Sequence, residues 1–134
     1  MKLILFLEAQ NGMLFNHRRL ARDQIMYAQI IEQNAGTIWI SDFTADVFPE
    51  APHIKISNNF FDVMQFDDVC IIEDVQVTDV LLSKFNQLTI YKWNRSYPSD
   101  LAFECPLDKW KLISTCEFKG SSHDKITEEN YEKM

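Results

Sequence analysis

Glycine and proline are both scarce in this sequence. Its 134 residues include three glycines and four prolines. So few glycines exclude the glycine-rich loops that let a backbone approach a phosphate group, and neither a GxGxxG fingerprint nor a GxxxxGK[ST] loop is present. No stretch rich in proline, glycine or serine forms a linker, so we expect a single domain spanning residues 1–134.

Cysteine is scarce as well, and its pattern is informative. Cys70, Cys105 and Cys116 are odd in number and form no CxxC pair. Such a set is not typical of a disulfide framework and indicates a reducing compartment, so we expect a cytoplasmic protein. The three histidines lie far apart along the chain, and no Cys–His group has the spacing of a zinc site. We therefore expect no metal.

Positive charge and long apolar runs are also lacking. Thirteen lysines and arginines stand against twenty acidic residues, which gives a net charge of -7. A chain this acidic lacks the electrostatic footprint for broad binding to nucleic acids or anionic membranes. The first apolar run covers only Leu3–Leu7 before Glu8, too short for a signal peptide, and no window could span a bilayer. The sequence gives no indication of the oligomeric state.

What the sequence does contain is an alternation of strands and helices. Apolar or alternating runs predict strands, and helical spacing with capping residues predicts about three helices. The strands are expected at Lys2–Glu8, Thr37–Ile40, His53–Ser57, Val69–Ile72, Leu88–Trp93 and Trp110–Phe118, and the helices at Arg22–Gln33, Asp42–Phe48 and Thr78–Phe85. Asn94–Asp108 is expected to be a long loop, and Lys125–Glu132 is ambiguous between a strand and a frayed helix. This order predicts an α/β protein whose single mixed sheet is mostly parallel, with an antiparallel C-terminal edge hairpin.

An arginine-rich segment ends in a single carboxylate. Arg18, Arg19 and Arg22 precede Asp23, which lies four residues before Tyr27 and shares the apolar stripe of the first predicted helix. A carboxylate there is either a helix-start charge or an acid in a cleft, with a raised pKa suited to proton transfer. The arginines either face solvent or grip a phosphate or carboxylate.

Two further polar segments are candidates for a site. One holds Trp93, Arg95 and Asp100 at the end of a predicted strand, where the aromatic ring either packs or binds and the charges either pair with each other or meet a ligand. The other is the turn that contains Ser122 and His123, which is either a plain hairpin turn or a place for proton transfer.

In this order the elements resemble a shortened, divergent dihydrofolate reductase-like domain. Asn11–Asn16 is similar to that family's mobile substrate loop, and Asp23 falls where the family carries its catalytic carboxylate. Ile38–Thr44 resembles the family's second strand and phosphate turn, and Leu88–Tyr91 resembles the strand that crosses the pterin site. The segment from Ser122 to the end of the tail resembles the family's last hairpin, which would make Lys125–Glu132 an edge strand.

The departures from the family pattern bear on the cofactor. Where the family binds the NADPH pyrophosphate with a Gly-Gly pair, this chain has Glu73-Asp74, and Ser41-Asp42 stands in place of the Gly-Arg of the other phosphate turn. Like charges at about 4 Å cost several kcal/mol at an effective dielectric near 20. Conventional NADPH binding is therefore not expected, and the cofactor stays unknown. The chain also resembles small bacterial proteins sometimes labelled ribonuclease Z, but it carries no HxHxDH motif.

The resemblance implies a cleft with a positive rim. Its expected lining and rim residues are Asn16, Asp23, Trp39, Tyr91 and His123 with Arg18, Arg19 and Arg95, and further ligand-binding candidates are Ser41, Thr44, Trp93 and Ser122. The leading hypothesis is a binder of a small anionic or nucleotide-like ligand that has lost the standard NADPH phosphate site. One alternative is a reductase with an unusual cofactor mode, in which Asp23 and His123 are catalytic. The other is an RNA or protein interaction module.

Overall fold

A computed structural model describes residues 1–134 and contains ten strands and three α-helices. The strands are β1 (Lys2–Leu7), β2 (Gly12–Phe15), β3 (Arg18–Arg19), β4 (Ile38–Ile40), β5 (Ile54–Ile56), β6 (Val69–Ile71), β7 (Gln87–Lys92), β8 (Leu101–Ala102), β9 (Trp110–Phe118) and β10 (Ile126–Lys133). The helices are α1 (Gln24–Gln33), α2 (Asp42–Ala45) and α3 (Asp79–Leu82), and a 3₁₀ turn covers Phe60–Asp62.

Seven strands form one mixed sheet in the order β5-β4-β6-β1-β7-β10-β9. The first five are parallel to one another, whereas β10 runs antiparallel to both β7 and β9. This confirms the predicted mostly parallel sheet with an antiparallel C-terminal hairpin. The five parallel strands all finish at the same side of the sheet, which we call the carboxyl end. The α-helices begin there, because each follows a connection from a parallel strand.

The sheet is covered on both faces because its central strands are apolar on both sides. In β1, residues Leu3–Leu7 are all buried and alternate between two layers. One layer packs against α1 through Met26, Tyr27 and Ile30. The other layer packs against α3 and the 3₁₀ turn. Continuous apolar strands of this kind are typical of parallel sheets that are buried on both faces.

Each α-helix begins with a side chain that accepts a backbone hydrogen bond. Asp23, Ser41 and Thr78 are the N-caps of α1, α2 and α3, as residues of their type are expected to be. The second and third helices are shorter than predicted. Phe48 and Phe85, at the ends of the predicted segments, reach the core from turns, so burial there does not require further helix.

Two predictions about the last third of the chain are wrong. The tail Lys125–Glu132 is not an edge strand, because β10 pairs with β7 on one side and with β9 on the other. The expected long loop at Asn94–Asp108 contains β8, which pairs with β2 and joins β3 in a small three-stranded sheet. Local sequence patterns missed both features because partners distant in the chain define them.

No helix has the length and apolar character needed to cross a membrane.

Candidate functional site

Three carboxylates are buried at the carboxyl end of the sheet. Glu8 follows β1, Asp23 caps α1 and Glu73 follows β6, and they are 1%, 1% and 6% exposed. Buried charge is costly unless it is paired or hydrogen-bonded, so each of these groups needs partners. The three carboxylates differ in the partners that they have.

Asp23 is held by the N–H of Met26 and by Ser122. Its Oδ1 accepts from the Met26 N–H at 3.0 Å, and its Oδ2 accepts from both the N–H and the hydroxyl of Ser122 at 2.8 Å. Gly120 permits this approach, because a Cβ at that position would overlap the Asp23 carboxylate. Burial alone would raise the pKa of Asp23, but the hydrogen bonds from Ser122 and Met26 outweigh it and lower the pKa. The raised pKa considered for a catalytic acid at this position is therefore wrong.

A chain of hydrogen bonds runs outward from Asp23. The Ser122 hydroxyl lies 2.6 Å from Nδ1 of His123, and Nε2 of His123 lies 2.7 Å from the Tyr97 hydroxyl oxygen. Because the one proton of the Ser122 hydroxyl is donated to Asp23, Nδ1 of His123 must be the donor to Ser122. In the neutral ring Nε2 then accepts from Tyr97. The ring of Trp93 packs against the imidazole, with 4.9 Å between the ring centroids.

The environment of His123 favours the neutral ring. Burial lowers the pKa of His123, the positive charge of Arg95 lowers it further, and Asp23 opposes these effects. The structure thus brings together the two candidate catalytic residues, with Ser122 between them. Asp23 is enclosed and its lowered pKa keeps it charged at neutral pH, while Ser122, which donates to it, is exposed. A catalytic role for either residue stays a prediction.

Glu73 has a cation and a hydroxyl as partners. Its Oε2 lies 3.4 Å from Nε of Arg19, and its Oε1 accepts from the Thr44 hydroxyl at 2.9 Å. The Arg19 guanidinium also donates to the carbonyl of Phe43 at 2.6 Å and lies 4.2 Å from the centroid of the Phe43 ring. Burial raises the pKa of Glu73, while Arg19 and Thr44 oppose that rise. The buried hydroxyl of Tyr27 has no hydrogen-bond partner.

Glu8 is not among the residues predicted from the sequence, yet its carboxylate holds two loops in place. Its carboxylate accepts from the backbone N–H groups of Gln10 at 2.7 Å, Gly12 at 2.8 Å and Tyr97 at 3.1 Å. A signal for this role was present in the sequence, because an acid directly after a fully buried strand must find donors nearby. Glu8 thereby holds the β1–β2 turn beside the segment that carries Tyr97.

Three of the other predicted residues lie on the surface. Asn16 is in the two-residue turn between β2 and β3 with φ of 51°, and its N–H donates to the Asp100 carboxylate at 3.1 Å. Asp100 is thus used by that turn. Arg18 and Arg95 are exposed. The positive charge of Arg95 helps to lower the pKa of His123. Ser41 is occupied as the cap of α2.

Trp39 and Tyr91 do not face each other. Trp39 packs in the layer that contains Phe60, and its indole N–H donates to Asp68 at 2.9 Å. Tyr91 packs in the opposite layer, and its hydroxyl donates to Glu128 at 3.2 Å. Successive residues of a strand point to opposite faces, so Trp39 cannot share the α1 side with its neighbours Ile38 and Ile40. The expected cleft lined by both rings is not formed.

Among the surface cavities, four have volumes of about 310 to 660 Å³, and one of these is lined by Ile40 and Ile56 at the carboxyl ends of β4 and β5. None of these four is lined by Asp23, Arg19 or His123. No group of three or more His, Cys, Asp or Glu side chains is arranged to hold a metal ion.

Comparison with known proteins identifies the fold. No family model and no curated protein sequence matches the chain. Its structure is similar to dihydrofolate reductase from Enterococcus faecalis, solved in complex with NADP(H) and RAB-propyl. The TM-score is 0.69 at 12% sequence identity, and the match covers 98% of this chain and 95% of that one. The chain therefore has a divergent dihydrofolate reductase-like fold, as its sequence suggests.

Proposed function

We propose that this dihydrofolate reductase-like chain is a cytoplasmic binding module for a small anionic or nucleotide-like ligand and has lost the standard NADPH phosphate site. One observation carries the proposal. Arg19 and Thr44, two of the predicted ligand-binding residues, hold a carboxylate at the carboxyl end of the sheet, and that carboxylate belongs to the chain itself. The groups needed to bind an anion are thus in place and are occupied by Glu73.

The same observation argues against a conventional dinucleotide. Glu73 is buried directly beyond β6 and Asp74 beside it is exposed, so a diphosphate approaching this strand end would meet two carboxylates. No glycine follows β6 to let the backbone approach a phosphate. A ligand with a single anionic group needs less room and less positive charge than a diphosphate.

Exchange of one anion for another is the step that binding requires. Burial raises the pKa of Glu73, and protonation of its carboxyl group weakens its hold on Arg19. The exposed Arg18, next to Arg19 in the chain, points to the opposite face of β3 and adds positive charge near an incoming anion without contacting it. The buried Tyr27 hydroxyl has no hydrogen-bond partner, and the charges of Glu73 and Arg19 both act on it. It is therefore available to donate a hydrogen bond to the ligand.

A thermal-shift screen tests the proposal. The panel holds NADPH, NADH, flavins, mononucleotides, cyclic nucleotides and folates, and a ligand at about 100 times its Kd adds roughly 2.7 kcal/mol to the stability. We expect mononucleotides or cyclic nucleotides to raise the melting temperature more than NADPH does. Glu73→Gln, which removes the competing charge, should increase that shift.

Arg18→Glu is the variant that tests the need for positive charge, because Arg18 is exposed and its replacement leaves the Arg19–Glu73 pair intact. It should reduce the shift, whereas Lys109→Glu, the same charge change at the opposite end of the sheet, should not. A shift produced by NADPH would contradict the loss of the phosphate site. If no compound on the panel shifts either the wild type or Glu73→Gln, the binding proposal fails.

A further inference from the structure

One histidine is buried between two surface segments that are distant in the chain. His123, which is 5% exposed, lies in the turn between β9 and β10. Its ring contacts the segment that follows β7: Nε2 lies 2.7 Å from the Tyr97 hydroxyl oxygen, and Trp93 packs against the imidazole. A titratable group in this position can make the contact between the turn and the segment depend on pH.

Tyr97 fastens the middle of the segment formed by residues 94–100. It is half-buried, whereas every other residue from 94 to 100 is exposed. Its N–H donates to Glu8 at 3.1 Å, and the Arg95 carbonyl accepts from the Ala9 N–H at 2.9 Å, which ties the backbone to the end of β1. Its hydroxyl instead reaches the imidazole, and among residues 95–99 it is the one side chain that hydrogen-bonds to the rest of the protein. That hydroxyl therefore links the segment to the β9–β10 turn.

The hydrogen bonds around the ring are arranged for a neutral imidazole. The Ser122 hydroxyl donates its proton to Asp23, so the ring proton is on Nδ1 and Nε2 accepts from Tyr97. Protonation of His123 adds a proton at Nε2, which then points at the proton of the Tyr97 hydroxyl. That hydroxyl has no other acceptor in the protein, so it must turn its proton toward solvent to keep the contact. The contact in its present form thus requires the neutral ring.

The charges around the ring also favour the neutral form. The segment after β7 contributes Arg95, and α1 contributes Asp23, which lies beyond an intervening hydroxyl. β7 ends in the neutral Trp93, and Asp124 in the turn itself is exposed. Burial and Arg95 lower the pKa of His123, and Asp23 opposes them. An imidazole released into solvent regains its ordinary pKa of 6.5, so acid favours release.

We propose that protonation of His123 releases Tyr97 and loosens residues 95–99 from the β9–β10 turn, so that this corner of the carboxyl end opens in acid. The closed form loses stability as the pH falls through 6.5, and the loss is complete below the lowered pKa of the closed form. Opening uncovers the indole of Trp93, which is 2% exposed in the closed form. This inference does not depend on the proposed ligand.

Hydrogen exchange measured by mass spectrometry tests the opening. Deuterium uptake is followed in a peptide that covers residues 94–100, with the time axis scaled by the intrinsic exchange rate at each pH. We expect the scaled rate to rise about threefold or more between pH 7.5 and pH 5 in the wild type. His123→Gln, which keeps an acceptor for Tyr97 but does not titrate, should remove this rise. His17→Asn is the matched control, because His17 is exposed in the β2–β3 turn, and it should leave the rise unchanged.

Two further variants separate the link from the charge. Tyr97→Phe removes the hydroxyl and should make exchange at pH 7.5 as fast as wild-type exchange at pH 5. Arg95→Gln removes a nearby positive charge from an exposed position, so it should raise the pKa of His123 and reduce the acid response. A nuclear magnetic resonance titration of the His123 ring measures that pKa directly. We expect a midpoint below 6.5 in the wild type and a higher one in Arg95→Gln.

Four results would overturn the proposal. One is a wild-type exchange rate that does not change between the two pH values, and another is an acid response of the same size in His123→Gln. The third is an unaltered acid response in Tyr97→Phe, which would show that the hydroxyl is not the link. The fourth is an equal rise in a peptide from α1, residues 24–33, because the response would then be global unfolding and not a local opening.

Discussion

Asp23 and Glu73 lie at the same end of the same sheet, and both are buried, but they are stabilised in opposite ways. Asp23 receives three hydrogen bonds from neutral donors and its pKa is lowered. Glu73 has a cation beside it and its pKa is nevertheless raised. A nearby cation therefore does not by itself offset the rise in pKa that burial causes. At Asp23 the hydrogen bonds outweigh burial, whereas at Glu73 the ion pair with Arg19 and the hydrogen bond from Thr44 do not.

The contrast suggests two different uses for the two groups. Asp23 ties the turn between β9 and β10 to the start of α1, so it acts as a fixed structural clasp. Glu73 is held less firmly in its charged form, so it is the carboxylate that the proposed ligand would displace. Variants that change one group at a time can break this comparison.

The largest effect is expected at Gly120. Gly120→Ala forces a Cβ into the Asp23 carboxylate and should lower the free energy of unfolding by about 3 kcal/mol in urea denaturation. Ser121→Ala, one residue on and exposed, loses only the acceptor of the Gln24 N–H and should cost about 1 kcal/mol or less. The destabilisation by Gly120→Ala should be smaller when Asp23→Ala removes the overlapping carboxylate, so that the two losses are not additive. Equal decreases in the free energy of unfolding for Gly120→Ala and Ser121→Ala would contradict the role of Asp23 in joining the β9–β10 turn to α1.

A smaller effect is expected for Asp23→Asn. It removes one acceptor and points an amide N–H toward a donor, which should lower the free energy of unfolding by about 2 kcal/mol at pH 7. Because the folded-state pKa of Asp23 is lowered, its contribution is present above the ordinary Asp pKa of 3.8 and is lost as the pH falls through the folded-state value. The difference between wild type and variant should therefore shrink in acid. A difference that stays constant from pH 7 to pH 2 would show that charge is not involved.

The smallest effect, with the opposite pH dependence, is expected for Glu73→Gln. The amide keeps an acceptor for Arg19 and Thr44 and relieves a buried charge, so the free energy of unfolding at pH 7 should change by no more than about 1 kcal/mol. The folded-state pKa of Glu73 is raised, so the wild type gains stability relative to the variant as the pH falls from that value toward the ordinary 4.5. Denaturant titrations at several pH values measure both slopes. Parallel slopes for the two variants would remove the distinction between the two carboxylates.

The sequence alone determined the local elements and their order. Continuous apolar runs predict β1 and β6, helical spacing predicts α1, and Thr78 marks the start of α3, because each of these signals depends on neighbours within a few residues. From the order of elements came the mixed α/β sheet and the resemblance to the dihydrofolate reductase fold, which the structure comparison confirms.

The tertiary structure decided which polar side chains meet. Ser122 and Asp23 are 99 residues apart and Arg19 and Glu73 are 54 apart, so no local pattern could pair them. The sequence marked Asp23 as either a helix-start charge or a cleft acid; packing made it the cap of α1 and brought donors to it from Ser122, and a catalytic role stays a prediction. The place of β10 inside the sheet was decided in the same way. A strand becomes central or an edge through backbone hydrogen bonds to distant strands, and those bonds are independent of its side chains.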